Sequence, residues 1–147
     1  MRTLGTTGTR EGAKPAQKAE ALRWMRALRD RGLTTTRSGD CYGWDAEFHV
    51  LALEMGFETI GHPPTDPEAR AFCAYIREEV PLPYLARNEK IVRGSDLMLA
   101  VPKESSEPAQ KRGGGTWATI RCAKRLGKPL VIIFPEGNLE THNWKKK

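Results

Sequence analysis

Two short, wholly apolar runs, Leu97-Met98-Leu99-Ala100-Val101 and Leu130-Val131-Ile132-Ile133-Phe134, constrain the fold of this chain more than any other feature. Neither alternates apolar with polar residues, so a strand made from either is buried on both faces, as in a parallel sheet covered by helices. Parallel neighbours need long crossovers, usually helical, and the rest of the sequence supplies them. Leu4 to Thr7 reads as a first strand. The helix after it opens near Pro15, carries an apolar stripe at Ala21, Leu22, Met25 and Leu28, and stops at Gly32. Leu33 to Arg37, rich in β-branched Thr, is a second strand, and Ser38 to Gly43 a loop. Trp44, Phe48, Leu51 and Met55 then share one helical face that Gly56 closes. Phe57 to Ile60 is a third strand, halted by Pro63-Pro64. Between it and the first apolar run the pattern predicts a helix over Pro67 to Glu79, a break at Pro81-Leu82-Pro83 and a short helix over Leu85 to Val92. Pro102 to Gly115 is a polar loop, and a helix over Thr116 to Leu126, ended by Gly127, separates the two runs.

Strands alternating with helices predict an α/β domain with a doubly wound, mainly parallel five-stranded sheet and helices on both faces. At 147 residues one domain is expected, over residues 1–137, with a polar basic tail at 138–147. No run of 18 apolar residues occurs and Met1-Arg2-Thr3-Leu4 leads into no apolar signal region, so no membrane partner and a cytoplasmic location are expected. Cys41, Cys73 and Cys122 are an odd number without C-x-x-C spacing, which reads as reduced thiols. The net charge is +6, but Lys145, Lys146 and Lys147 supply half of it from the end of the chain. A mildly basic domain argues against broad nucleic-acid binding and leaves room for a local cationic cleft.

Ligands of open α/β sheets bind beyond the C-terminal ends of the strands, which confines the candidate chemistry to a few loops. Arg112-Gly113-Gly114-Gly115-Thr116 follows a buried strand and opens a helix. Its glycines allow close backbone approach, and the helix start offers unpaired N–H groups to a phosphate; a flexible loop capped by Thr116 is the plainer alternative. Gly8-Thr9-Arg10 occupies the equivalent place after the first strand, as an anion grip or an ordinary glycine turn. In the second strand-to-helix turn, Gly39 and Gly43 accompany Asp40 and Asp45. These carboxylates suit ribose hydroxyls or the activation of water, and either also suits a helix cap. Arg87-Asn88 precedes the fourth strand, where a cation and an amide reach the sheet edge or simply face solvent. His49 reads as a helix-surface residue, no His or Cys spacing suits a metal, and no cofactor is expected. There is no G-x-S-x-G elbow.

Taken together these residues resemble the superfamily of Rossmann-like domains that joins DNA-processing protein A of natural transformation to the lonely-guy nucleotide hydrolases. Ser38-Gly39, Gly43 and Asp45 fit its S-G-x-x-x-G-x-D pattern. Arg87-Asn88 is followed by Ile91-Val92 and Gly94-Ser95, and Gly114-Gly115-Thr116 with Thr119 and Ala123 is similar, somewhat altered, to its S-G-T-x-x-T-A-x-x-A helix start. The resemblance implies a stand-alone small Rossmann-like member with a site built from these loops. Nucleotides, nucleotide-derived signals or single-stranded DNA are the ligands it implies. One departure stands out: the hydrolase pattern G-G-x-G-T-x-x-E places its Glu where this chain has Thr119.

The leading expectation is therefore a binding protein or sensor for a nucleotide or nucleotide-derived phosphate ligand, with phosphate at the glycine loop and ribose at Asp40 or Asp45. A nucleotide N-glycosidase is the first alternative. A single-stranded nucleic-acid binder is the second, with Arg10, Arg87, Arg93 and Arg112 on phosphates and Trp44, Tyr84 or Trp117 stacking on bases. A homo-oligomer is compatible with each.

Overall fold

The two apolar runs lie inside one sheet, and their side chains alternate between its faces. The computed structural model describes residues 1–109 and 114–144. The elements follow in the order β1 (Thr3–Gly8), α1 (Pro15–Asp30), β2 (Thr35–Ser38), α2 (Trp44–Glu54), β3 (Glu58–Gly61), β4 (Arg77–Glu78), α3 (Tyr84–Gly94), β5 (Leu97–Val101), α4 (Gly114–Arg125), β6 (Leu130–Ile133) and β7 (Leu139–His142). The sheet order is β4-β3-β2-β1-β5-β6-β7, parallel throughout except that β7 runs antiparallel to β6. Leu97, Leu99 and Val101 of β5 pack with Val131 and Ile133 of β6 under α1 and α2, against Met25, Trp44 and Phe48. Met98 and Ala100, with Leu130 and Ile132, pack on the opposite face under α3 and α4, against Ile91, Trp117 and Ile120. The period of two along a strand thus builds two cores from one apolar run.

Strand succession runs outward from β1 through β2 and β3 to β4, then jumps back so that β5 lies on the other side of β1. Such a reversal leaves a crevice between the loops that leave the two adjacent strands. It lies here beyond Gly8 of β1 and Val101 of β5, which are paired in register.

Three expectations about elements are corrected. The helix over Pro67 to Glu79 is absent: Pro67–Ala69 makes a single 3-10 turn, and the chain then runs to β4, which pairs with β3. The buried Asp40 carboxylate holds this stretch open by accepting from Arg70 Nε at 2.8 Å and from the Cys73 N–H at 2.9 Å. Among the described residues the sheet has seven strands where five were expected, because β4 and β7 extend its two edges. The polar tail expected from residue 138 instead forms β7 over Leu139–His142, after a turn in which Gly137 has φ +94°. β7 satisfies the outer edge of β6, and Trp144 beyond it meets Trp24 of α1 edge-on at 5.5 Å. His49 is also displaced from its expected place on the surface. It is buried against the Tyr75 ring at 4.4 Å, because the extended stretch after Ala69 covers that side of α2. No helix among the described residues is long and apolar enough to cross a membrane.

Candidate ligand cleft beyond strands β1 and β5

A cleft of about 500 Å³ occupies the crevice at the strand reversal, within the usual range for small-molecule sites. Its lining includes Gly8, Thr9 and Arg10 from the loop after β1, Asp45 from α2, Arg87 and Asn88 from α3, and Gly115 and Thr116 from α4. Gly39, Asp40 and Gly43 are not among its described lining residues, and Gly114 opens α4. Gly113 and Arg112 lie outside the described residues.

The loop after β1 is tied down on both flanks. Thr9 donates its N–H to the Val101 carbonyl at 2.9 Å, while its own carbonyl accepts from Trp44 at 2.9 Å and its hydroxyl accepts from the Glu11 N–H at 3.1 Å. Gly8 is required by close approach, since a Cβ there would overlap the Trp44 ring. Arg10 is exposed and lies 4.9 Å over the Tyr84 ring, bridging the β1 loop to the first turn of α3.

The loop after β2 splits its two carboxylates between different tasks. Asp40, at φ +58°, is fully buried and points away from the cleft into its contacts with Arg70 and Cys73. The ribose role expected for it is therefore corrected to an anchoring one. Asp45, in the first turn of α2, lines the cleft; one of its oxygens accepts from the Cys41 N–H at 3.2 Å. The other has no hydrogen-bond partner among the described residues. Burial pushes its carboxyl up to about 6, against the opposing pull of the Arg87 charge. Gly43, at φ +79°, starts α2 with its backbone against the Arg10 carbonyl, where no side chain fits.

From α3, Arg87 turns inward. It donates through Nη1 to the carbonyls of Gly39 at 2.5 Å and His62 at 3.3 Å, and through Nε to Asn88 Oδ1 at 2.7 Å. Asn88 Nδ2 lies 3.6 Å from where a Cβ on Gly115 would stand. The amide thus faces the N-terminus of α4, whose first N–H groups have no intrahelical acceptor. Thr119, at the position of the missing Glu, is buried and donates to the Gly115 carbonyl at 2.8 Å.

Sequence reasoning missed the mouth of the cleft. Lys103 pairs with Glu11 at 3.1 Å, and Glu104 accepts from Trp117 Nε1 at 2.9 Å. Lys103 and Glu104 follow β5 after Pro102, and that place just beyond a central strand is the signal that could have found them. Among the described lining residues, Arg10, Arg87 and Lys103 are balanced by Asp45, Glu11 and Glu104, so the cleft is no broad cationic surface. Trp44 and Trp117, expected as stacking residues, are buried in the two cores. Arg93 sits at the far end of α3, paired with Glu89 at 3.2 Å. Of the groups expected to grip a single strand, Arg10, Arg87 and Tyr84 line the cleft.

Solved structures share this architecture across most of the chain. A molybdenum cofactor binding protein from the phototrophic bacterium Rippkaea orientalis superposes with a TM-score of 0.68 at 21% identity, covering 90% of this chain and 76% of that one. DNA processing protein A from Streptococcus pneumoniae superposes at 0.63 and 19% identity, covering 90% of this chain and 50% of that one. This chain has their Rossmann-like fold. A molybdenum cofactor carrier protein from Chlamydomonas reinhardtii has it too, at 0.62 and 23% identity, covering 89% of this chain and 75% of the carrier. The Rossmann-like likeness to DNA processing protein A agrees with the resemblance carried by Ser38-Gly39, Arg87-Asn88 and the start of α4. The sequence matches no family model and no curated protein.

Proposed function

We propose that the cleft binds a nucleotide or nucleotide-derived phosphate ligand, and that the protein acts as a binding protein or sensor. One observation carries this reading: two nearly buried polar side chains, Asn88 and Asp45, each keep a hydrogen-bonding atom without a partner among the described residues, and both line the cleft at the strand reversal. The Asn88 amide adds a donor to the α4 N-terminus, which suits an anionic oxygen. The Asp45 carboxylate accepts, which suits ribose hydroxyls or an exocyclic amine. A ligand with a phosphate at one end and donors at the other satisfies both. The molybdenum cofactor belongs in the same ligand panel, since two proteins of this fold are named for binding or carrying it.

Thermal melting tests the reading. Nucleoside monophosphates should raise Tm while the matching nucleosides do so far less; equal shifts, or none across the panel, contradict it. The raised carboxyl of Asp45 favours a second reading, because a cleft carboxylate poised near neutrality suits activation of water at an anomeric carbon. Chromatography for free base after incubation with nucleotides separates the two. Release above a buffer blank, lost in Asp45→Asn, supports hydrolysis.

A further inference from the structure

Arg87 and Asn88 are adjacent in sequence, nearly buried and both in the cleft, yet they are committed differently. Two arms of the Arg87 fork are committed to protein acceptors, Nη1 to two carbonyls and Nε to Asn88, while Nη2 meets the Cys41 sulfur at a long 3.9 Å. Its aromatic neighbour Tyr84 lies 5.6 Å from the guanidinium carbon. A guanidinium never accepts, so the Asn88 atom that meets Arg87 Nε must be the carbonyl oxygen. The NH2 end is then forced toward Gly115 and the start of α4.

We propose that Arg87 is a positioning residue and Asn88 the residue that reads the ligand. The guanidinium locks the Asn88 amide so that its NH2 donates to an anionic oxygen resting on the α4 N-terminus. This rests on the phosphate-ligand reading above and assigns its specificity. With the oxygen of the amide withheld by Arg87, the site offers a donor alone and favours a phosphate over a hydroxyl or an amine at that point. Arg87 supplies this selectivity without touching the ligand.

Calorimetric titration with ribonucleoside monophosphates and their matching nucleosides reads it as a ratio of affinities. A merely structural lesion lowers both affinities and leaves the ratio alone. Asn88→Asp keeps the shape and the bond to Arg87 while replacing the donor with a charged acceptor. It should cut monophosphate affinity roughly ten- to hundredfold, the worth of one hydrogen bond to a charged group, and leave nucleoside affinity within about twofold. Arg87→Lys keeps the charge but not the fork, and should lower the same ratio. In nitrogen-15 spectra the Asn88 side-chain NH2 signal should move on addition of inorganic phosphate to the wild type, which tests the assignment even if Arg87→Lys does not fold. Equal wild-type affinity for both ligand classes overturns the phosphate reading and this assignment with it. A wild-type preference that survives in Asn88→Asp, or an Asn88 signal indifferent to phosphate, overturns the assignment of Asn88 alone. A preference undiminished in folded Arg87→Lys overturns the positioning role of Arg87.

Discussion

Replacing Gly115 with Asp separates folding from ligand binding at the α4 N-terminus. Gly115 lies in the first turn of α4, outside the left-handed region, and among the described residues an added Cβ meets only Asn88 Nδ2, at an ordinary 3.6 Å. The substitution therefore fits without displacing the backbone. A carboxylate in the first turn of a helix stabilises it by about 0.3 to 1 kcal/mol, and removing a helical glycine adds a few tenths more. Tm should hold or rise slightly. Binding should move the other way. The new carboxylate lies within reach of Asn88 Nδ2 and takes the donor that the ligand needs, a loss of about 1.5 to 3 kcal/mol. Repulsion between unit charges about 4 Å apart adds about 1 kcal/mol in water and about 4 kcal/mol at the dielectric of a protein surface. Together these weaken an anionic ligand by at least about 2.5 kcal/mol, roughly seventyfold. Circular dichroism and a calorimetric titration on one sample check both halves, with Gly115→Ala as the neutral control. A folded Gly115→Asp protein that binds nucleoside monophosphates with native affinity refutes the reasoning.

The carboxyl of Asp45 titrates near 6 in the fold against 3.8 for a free side chain, so the native state holds a proton that the unfolded chain has already released. Stability should fall as pH rises through this window and level off above it, and Asp45→Asn should be more stable than wild type at neutral pH by on the order of 3 kcal/mol. Urea denaturation across the window checks this, and an Asn variant less stable at neutral pH contradicts it. His62 accepts from Arg37 at 2.9 Å, and burial with the nearby Arg37 charge drives its imidazole down to about 4. Its contribution is lost as pH falls from the ordinary histidine value toward 4, so His62→Gln should flatten the acid limb of the same curve. Asp40→Ala leaves Arg70 with Glu78 at 2.9 Å as its remaining carboxylate partner and frees the Cys73 N–H, which should cost about 1 to 3 kcal/mol and expose the stretch between Arg70 and Ile76 to proteases. Native resistance to limited proteolysis would count against its anchoring role.

The features legible in the sequence are those written in local pattern. The runs that became β5 and β6 admit one environment, and Pro15 and Gly32 mark α1 because helix ends impose their own chemistry. The glycine run before Thr116 announced a helix start, although Gly114 and Gly115 enter the helix rather than the loop. Asp40 and Asp45 could not be told apart, because the left-handed backbone at Asp40 turns its side chain toward partners 30 and 33 residues on. Trp44 and Trp117 suited a stacking surface on paper, yet their indole N–H groups reach Thr6 at 2.7 Å and Glu104 at 2.9 Å and let the rings sink into the cores. β7 was illegible because its side chains are mostly exposed and only its backbone is used. The free NH2 end of Asn88 depends on Arg87, Gly39 and His62 meeting in space, which no local pattern records.

Backbone and side-chain amide shifts, followed through a titration with a nucleoside monophosphate, test the central claim most directly because they locate the ligand. The largest movements should fall on Gly115, Thr116, the Asn88 NH2 and the Thr9–Arg10 turn, with the matching nucleoside leaving the first three nearly still. A saturable response confined to other parts of the surface, or none at all, would contradict a phosphate-binding cleft beyond β1 and β5.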